Sequence, residues 1–225
     1  LMHNGLVQAI VHQAAALGQT IRVVGEGHSF SRLIETDDCI VSLTKMRGLI
    51  AIDKAAGTAT AWAGTPIKVV NEALFEQGLA MINLGDIDVQ SLAGATATGT
   101  HGTGLAFGNI SSEIVAFSIV TANGELRHCS RTENTALFEA GRISLGALGI
   151  LTKVTVNVTK AYKLEYTSAA GDFEETMQQI AQLNATHRNF EYYYFPYSET
   201  LQLKTSNTTD RPVKHNRVMA FLIDV

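Results

Sequence analysis

The sequence predicts an α+β fold, and three observations carry that prediction. Helical and strand-like patterns come as a helix, a run of strands, a helix and more strands, without regular βαβ alternation. The first glycine-rich loop, VVGEGHSFS, misses the dinucleotide fingerprint of a doubly wound sheet: Gly25 and Gly27 are followed by Phe30 where the third glycine belongs. The apolar share, 46% of 225 residues, is ordinary for a globular chain and allows a sizeable core.

The elements follow in order. Asn4 is placed to cap a helix through GLVQAIVHQAAAL, with Leu6, Val7, Ile10, Val11, Ala14 and Ala15 on one face and Gly18 as its stop. IRVVG is a short strand leading into the loop GEGHSFS. CIVSL, GLIAID and GTATAWAG are short strands separated by turn-like Lys, Asp and Gly. Thr65-Pro66 starts a helix carrying Ile67, Val70, Leu74 and Phe75 on one side and ending near Gly78. Residues 85–108 are dense in Gly, Ala, Ser and Thr, yet too apolar and varied for a disordered linker. SSEIVAFSIVTANGELRHC reads as a β-hairpin around a two-residue Asn123-Gly124 turn, followed by a short helix near Asn134 to Ala140. GILTKVTVNVTK alternates as a long strand.

Residues 161–171 read as a boundary, giving one domain over 1–160 and the start of another over 161–225. Asp172 with Glu175 forms a capping-box-like helix start, and Phe173, Met177, Ile180 and Leu183 make the helical stripe. FEYYYFPY and LQLKTS are two strands, and the polar NTTDRPVKHN is expected to be mobile. Within Tyr192, Tyr193, Tyr194, Phe195 and Tyr197, alternate residues face opposite sides. One set is expected in the core, the other at a substrate pocket or domain interface, with packing the heavier role. Trp62 and Cys39 read as core.

Composition excludes several functions. The net charge is −4 and Lys and Arg are scattered, which argues against nucleic acid as a main partner. No apolar run approaches the ~20 residues of a membrane span, so a membrane role is not expected. Two cysteines in unrelated contexts, without a CxxC, point to a reducing, cytoplasmic compartment. The chain begins at Leu1 and stops inside the apolar VMAFLIDV, which predicts a piece of a longer protein. The histidines are widely spaced with no HExxH, so no metal site is predicted. No G-x-S-x-G elbow marks a serine hydrolase.

Two stretches carry candidate chemistry. In GEGHSFS, Gly25 and Gly27 permit positive φ, so successive N–H groups can turn toward one anion, and Ser29 and Ser31 add hydroxyls. An ordinary glycine turn with a surface histidine would look the same. SLAGATATGTHGTG offers a row of N–H groups unobstructed by large side chains, with Thr96, Thr98, Thr100 and Thr103 supplying hydroxyls. Helix-on-sheet packing would also select such residues. Two such segments, each with a histidine, favour a large phosphate-bearing cofactor. The backbone of LGALGIL suits either a flat ring or plain sheet packing, and Arg142 either an anion or solvent.

VVGEGHSFS, GDIDVQSLAGATATGTHGTG and SLGALGILTKVT, in this order and spacing, resemble the FAD domain of the vanillyl-alcohol-oxidase-type (PCMH-type) flavoproteins. Within them they resemble the sugar-1,4-lactone oxidase and alditol oxidase branch. The resemblance covers nearly all of residues 4–160, and FEYYYFPYSET resembles the start of that family's substrate domain. It implies two α+β subdomains gripping FAD, followed by an α+β substrate domain. It assigns Val23, Val24, Gly25, Glu26, Gly27, His28 and Ser29 to a pyrophosphate loop, and adds Ser91, Gly94, Thr98, Gly99, Thr100, His101 and Ile150 as cofactor contacts. It implies covalent flavin attachment through His28.

The implied activity is that of an FAD-dependent oxidoreductase on CH-OH donors. A base takes the hydroxyl proton, hydride passes to the flavin, and oxygen or another acceptor reoxidises it. The implied substrate is a sugar-1,4-lactone, with an alditol as the alternative. The resemblance also places Asp86 among the cofactor contacts and as a substrate contact; alditol oxidases carry Ser there, which tilts the choice to the lactone, and a loop carboxylate capping its own turn is its other reading. The family's catalytic polar residues lie mostly in the later part of the substrate domain, so no catalytic base is named. A fragment that binds FAD without turnover is a further alternative.

Overall fold

A computed structural model describes residues 2–213, and the side chains from residue 4 onward. Its contacts divide the chain into two units, Leu1–Thr103 with Phe107–Ala161, and Gly104–Ala106 with Tyr162–Val225. The expected apolar segment VMAFLIDV lies outside the described residues, as does the end of NTTDRPVKHN. Asn207 and Thr208, from its start, belong to a strand.

The first unit runs α1 (Met2–Ala16), β1 (Ile21–Val24), β2 (Cys39–Ser42), β3 (Leu49–Asp53), β4 (Thr58–Trp62) and α2 (Ile67–Phe75). It continues with β5 (Leu79–Met81), α3 (Leu92–Ala97), β6 (Ile114–Val120), β7 (Leu126–Ser130), α4 (Thr135–Gly141) and β8 (Ile150–Lys160). β1 and β2 form a small parallel sheet, with Val24 opposite Ser42. The other strands form an antiparallel sheet of order β3-β4-β8-β6-β7, with β5 pairing the far end of β8.

β8 shows why the sheet is two-faced. Val154, Val156 and Val158 are buried, whereas Lys153, Thr155 and Asn157 between them are half-buried. The valines join Ala59, Ala61, Phe117 and Cys129 in a core that also holds Val7, Ile67, Leu74, Leu92 and Phe138 from the helices. Each leucine-sized side chain fully buried there contributes about 1.5–3 kcal/mol. The Phe117 and Phe138 rings stack with centroids 5.8 Å apart. Burial also pushes the Cys129 thiol up from its ordinary value, as suits a packing residue. The outer face carries the Thr60–Thr155 cross-strand bond at 2.9 Å and Lys153 Nζ 5.0 Å from the Trp62 ring, so Trp62 is half-buried at the edge of the core.

Several local expectations are corrected. α1 starts at Met2, so Asn4 lies within its first turn and does not cap it. Its buried stripe is Val7, Val11 and Ala14, while Leu6 is exposed. Thr65 does not cap α2: its hydroxyl donates to the Trp62 carbonyl at 2.6 Å and accepts from the Gly48 N–H at 2.9 Å. The first N–H groups of α2 are satisfied instead by loop carbonyls, Ile67 to Gln90 and Lys68 to Asp88. Phe75, expected on the buried side, is exposed. The β6–β7 hairpin forms with a wider loop than two residues, because the Thr121 N–H bonds to the Glu125 carbonyl and the Asn123 side chain accepts from both Thr121 Oγ1 and the Glu125 N–H.

The second unit holds β9 (Leu164–Asp172), α5 (Phe173–Thr186), β10 (Asn189–Tyr194) and β11 (Thr200–Thr208), in an antiparallel sheet of order β10-β11-β9. β9 occupies the stretch expected as a boundary. It is an edge strand of mostly exposed residues, so it carries no apolar alternation for a sequence reading to find. Phe190 and Leu201 are buried and the Phe173 and Tyr194 rings meet at 5.2 Å, but Tyr192, Tyr193, Tyr194, Phe195 and Tyr197 all remain exposed. The expected division of the tyrosines into a core set and a surface set is therefore not seen.

Asp172 caps α5 as its sequence suggests, its carboxylate accepting from the Glu175 N–H at 2.9 Å. Asp172→Ala is expected to cost about 1 kcal/mol of stability in the second unit, read as a lower urea midpoint by helical circular dichroism. An unchanged midpoint would show that the cap contributes nothing.

Candidate functional site

Both glycine-rich stretches converge on one open cleft in the first unit, lined mainly by backbone and small side chains. The loop after β1 supplies one wall, with Val23, Val24, Gly25, Glu26, Gly27, His28 and Ser29 all lining the cleft. Gly27 has φ +77°, the left-handed conformation that turns the chain before His28, and Phe30 follows with φ +51° and its ring almost fully exposed. His28 itself is half-buried.

The second wall is the start of α3, with Ser91, Ala93, Gly94, Ala97 and Thr98. The two walls touch, and the contact accounts for their glycines. A methyl group on Gly25 would lie 2.7 Å from Ser91 Oγ and 3.8 Å from the Gly94 Cα. One on Gly94 would lie 2.8 Å from the same oxygen. Ser91 is 5% exposed and accepts from the Gly94 N–H at 3.3 Å. Small residues thus bring two loops together along the edge of the cleft, and a Cβ at either glycine would fill that edge.

Not every predicted hydroxyl is available. Thr96 is fully buried and donates to the Leu92 carbonyl at 3.0 Å, so it supports α3 from inside. Thr98 lines the cleft, but its Oγ1 donates to the Gly94 carbonyl at 3.0 Å.

Of the residues that the family resemblance suggests, Asp86, Gly99, Thr100, His101 and Ile150 do not line this cleft. Asp86 is exposed in the loop between β5 and α3. Gly99 follows α3 with φ +68°, and a methyl group there would meet Ile143 at 3.6 Å. The Thr100 carbonyl accepts from the Ile110 N–H at 2.9 Å. His101 bridges Asn109, and its Nδ1 lies 2.9 Å from the Gly102 carbonyl. Ile150 is buried at the start of β8, between the lining residues Gly149 and Leu151. Arg142 pairs with Glu139 and lies 5.4 Å from the Phe138 ring, outside the cleft lining.

The remaining wall was not anticipated in full. Leu43 and Thr44 after β2, and Ala63 and Gly64 after β4, reach the cleft, as do Ser144, Leu145 and Gly146. The last three come from the LGALGIL region, where Leu145, Gly146 and Gly149 all take positive φ. The Leu145 N–H bonds the Ala97 carbonyl at 3.1 Å, tying this loop to α3. The signal for Gly64 is the glycine between a strand and a helix in WAGTP, which reads from the sequence as the end of the strand GTATAWAG.

Among the described residues no group of three or more His, Cys, Asp or Glu could hold a metal, and no helix is long and apolar enough to cross a membrane. The site is an open cleft lined by small and apolar residues together with backbone groups and hydroxyls. It suits a flat ligand bearing phosphates.

Comparison with known proteins accords with that description. The family model of the FAD binding domain matches residues 3–130, and that of D-arabinono-1,4-lactone oxidase matches residues 154–222. The chain is 33% identical over 205 residues to L-gulono-1,4-lactone dehydrogenase of Mycobacterium tuberculosis, covering 91% of this chain and 47% of that protein. It is 37% identical over 215 residues to D-arabinono-1,4-lactone oxidase of Yarrowia lipolytica, covering 94% and 41%. The chain thus spans about half the length of the relatives it matches. The fold is similar to that of cholesterol oxidase from Brevibacterium sterolicum, with TM-score 0.82, 20% identity, and coverage of 91% of this chain and 43% of that one.

Proposed function

Since this chain belongs to the FAD binding domain family, whose model spans more than half of it, we propose that its cleft holds FAD and that the whole protein oxidises a CH-OH group of a sugar-1,4-lactone. The observation that carries the reading is the meeting of Gly25 and Gly94 across Ser91, a cradle that any side chain would fill. Backbone N–H groups of the Val23–Ser29 loop, with the hydroxyls of Ser29 and Ser91, would hold the pyrophosphate. Leu43, Ala63 and Leu151 would give the flat ring an apolar, water-excluding bed. Bound FAD supplies the hydride-accepting chemistry for oxidation of an alcohol carbon.

His28 is the residue that would carry the flavin covalently. It lies on the loop that would bind the pyrophosphate and lines the same cleft. On the family pattern Gly99, Thr100, His101 and Ile150 would be further contacts beyond the lining of this cleft, and Asp86 a substrate contact that favours a lactone over an alditol. Oxygen or another acceptor would reoxidise the cofactor. The free cysteines Cys39 and Cys129 support a cytoplasmic setting.

The purified protein is expected to be yellow with a flavin spectrum. Anaerobic addition of a sugar-1,4-lactone to the full-length protein is expected to bleach it faster than an alditol does. A folded, colourless protein that takes up no FAD would overturn the cofactor assignment. Bleaching by alditols alone would overturn the substrate.

A further inference from the structure

We propose that Leu145 is a cofactor-binding residue, whose side chain covers a ring face of the bound FAD and is kept there against the preference of the turn that carries it. This deepens the reading of the cleft as a flavin site and rests on it. Residues 144–147 form a tight turn: the Ala147 N–H bonds the Ser144 carbonyl at 2.9 Å, and Leu145 and Gly146 between them take φ +51° and +75°. Positive φ at both central residues is the pattern of type I′ turns, which favour Asn-Gly or Gly-Gly. Gly146 fits that preference and Leu145 does not. A bulky apolar side chain in the left-handed region strains the backbone.

The fold itself does not require leucine at this position. The side chain is 52% exposed, so it adds little to the core, unlike the buried Ile150 and Leu151 that follow. The turn is held by its backbone, through its own bond and through the Leu145 N–H on the Ala97 carbonyl at 3.1 Å. Asn would keep both bonds with less strain. What leucine alone brings is an apolar surface on the cleft lining, which it shares with Leu43, Ala63 and Leu151. Both ends of the turn are tied, so that surface is held in place before any ligand arrives. Strained residues of this kind persist at ligand sites, where the strain serves the binding. Covering the exposed half of a leucine side chain with a flat ring strengthens binding about fivefold. Strain and affinity therefore pull in opposite directions at this one residue.

The test uses the full-length, flavin-free protein in a His28→Ala background, so that FAD binds reversibly. Leu145→Asn is expected to raise the Tm of the flavin-free protein by about 3 °C, because Asn tolerates the left-handed region. The same variant is expected to bind FAD about fivefold more weakly, read by flavin fluorescence. A residue that merely held the turn would move both quantities in the same direction. Leu145→Ala, which keeps most of the backbone strain and loses the side chain, is expected to show the weaker binding without the gain in Tm. FAD affinity equal to the parent's in L145N and L145A overturns the proposal, and so does a Tm that falls in L145N. Should L145N fail to fold, Leu145→Gly, which also relieves the strain, decides by the same two readings. A folded parent that takes up no FAD overturns the cofactor reading and this proposal with it, whereas uptake by the parent with unmoved affinity in the variants overturns this proposal alone.

Discussion

Gly64→Ala is expected to destabilise the first unit by about 3 kcal/mol and to weaken flavin retention in the same variant. The added methyl carbon would lie 1.9 Å from the Leu43 carbonyl oxygen, 2.6 Å from its carbon and 3.0 Å from the Met46 carbonyl oxygen. All of these are backbone atoms, so no side-chain rotation relieves the clash. The opposing turn is also pinned: the Gly64 N–H bonds the Met46 carbonyl at 3.1 Å, and the Gly48 N–H bonds Thr65 Oγ1 at 2.9 Å. Leu43, Thr44, Ala63 and Gly64 all line the cleft, so whichever strand end gives way, the cleft changes shape. Urea unfolding of flavin-loaded and flavin-free protein measures both effects. A midpoint equal to the wild type's would mean that the two strand ends separate at little cost, contrary to the packing described.

His28→Ala is expected to abolish acid-stable flavin while leaving the fold intact. His28 is half-buried on an irregular loop, and such a substitution shifts stability by about 0.5 kcal/mol or less. The readout is the flavin that stays with protein precipitated by acid. The wild type should keep its colour in the pellet, and the variant should release it to the supernatant. Flavin in the wild-type supernatant would remove His28 from a covalent role, and flavin in the variant pellet would move that role to another residue. Either result leaves the non-covalent site of Gly25, Ser91 and Gly94 to be judged separately, by uptake of added FAD.

The long, alternating pattern of β8 and the paired turn signals around Asn123 were legible in the sequence, because burial on one face leaves a period that composition cannot hide. The Asp172 cap was legible for the same local reason, since its partner N–H is three residues away. β9 was not legible: an edge strand whose side chains are exposed leaves no apolar period. α3 was missed because its sequence, LAGATA, gives small residues to close packing and none to an apolar stripe. At the site, the sequence pointed to Gly25 and Ser91 separately. What it could not give was their contact, since the two lie far apart along the chain and meet only through a clearance smaller than one methyl group. The walls from Leu43 and Gly64 stayed hidden for the opposite reason, as each reads as an ordinary strand end.

The central position of β8 has a consequence for how the protein is made. Thr58 pairs with Asn157 and Val120 with Ile150, so the strand that joins the β3–β4 hairpin to the β6–β7 hairpin comes last in the first unit. A chain emerging from the ribosome can form each hairpin early, but neither can share a sheet until residue 160 has cleared the exit. Until then, both hairpins present unpaired edges on the sides that β8 will occupy. Such long-range pairing slows folding, and the interval is a window for aggregation or for chaperone capture. A stop before residue 150 would therefore leave the two hairpins without the strand that joins them, and not merely shorten the sheet by its last strand.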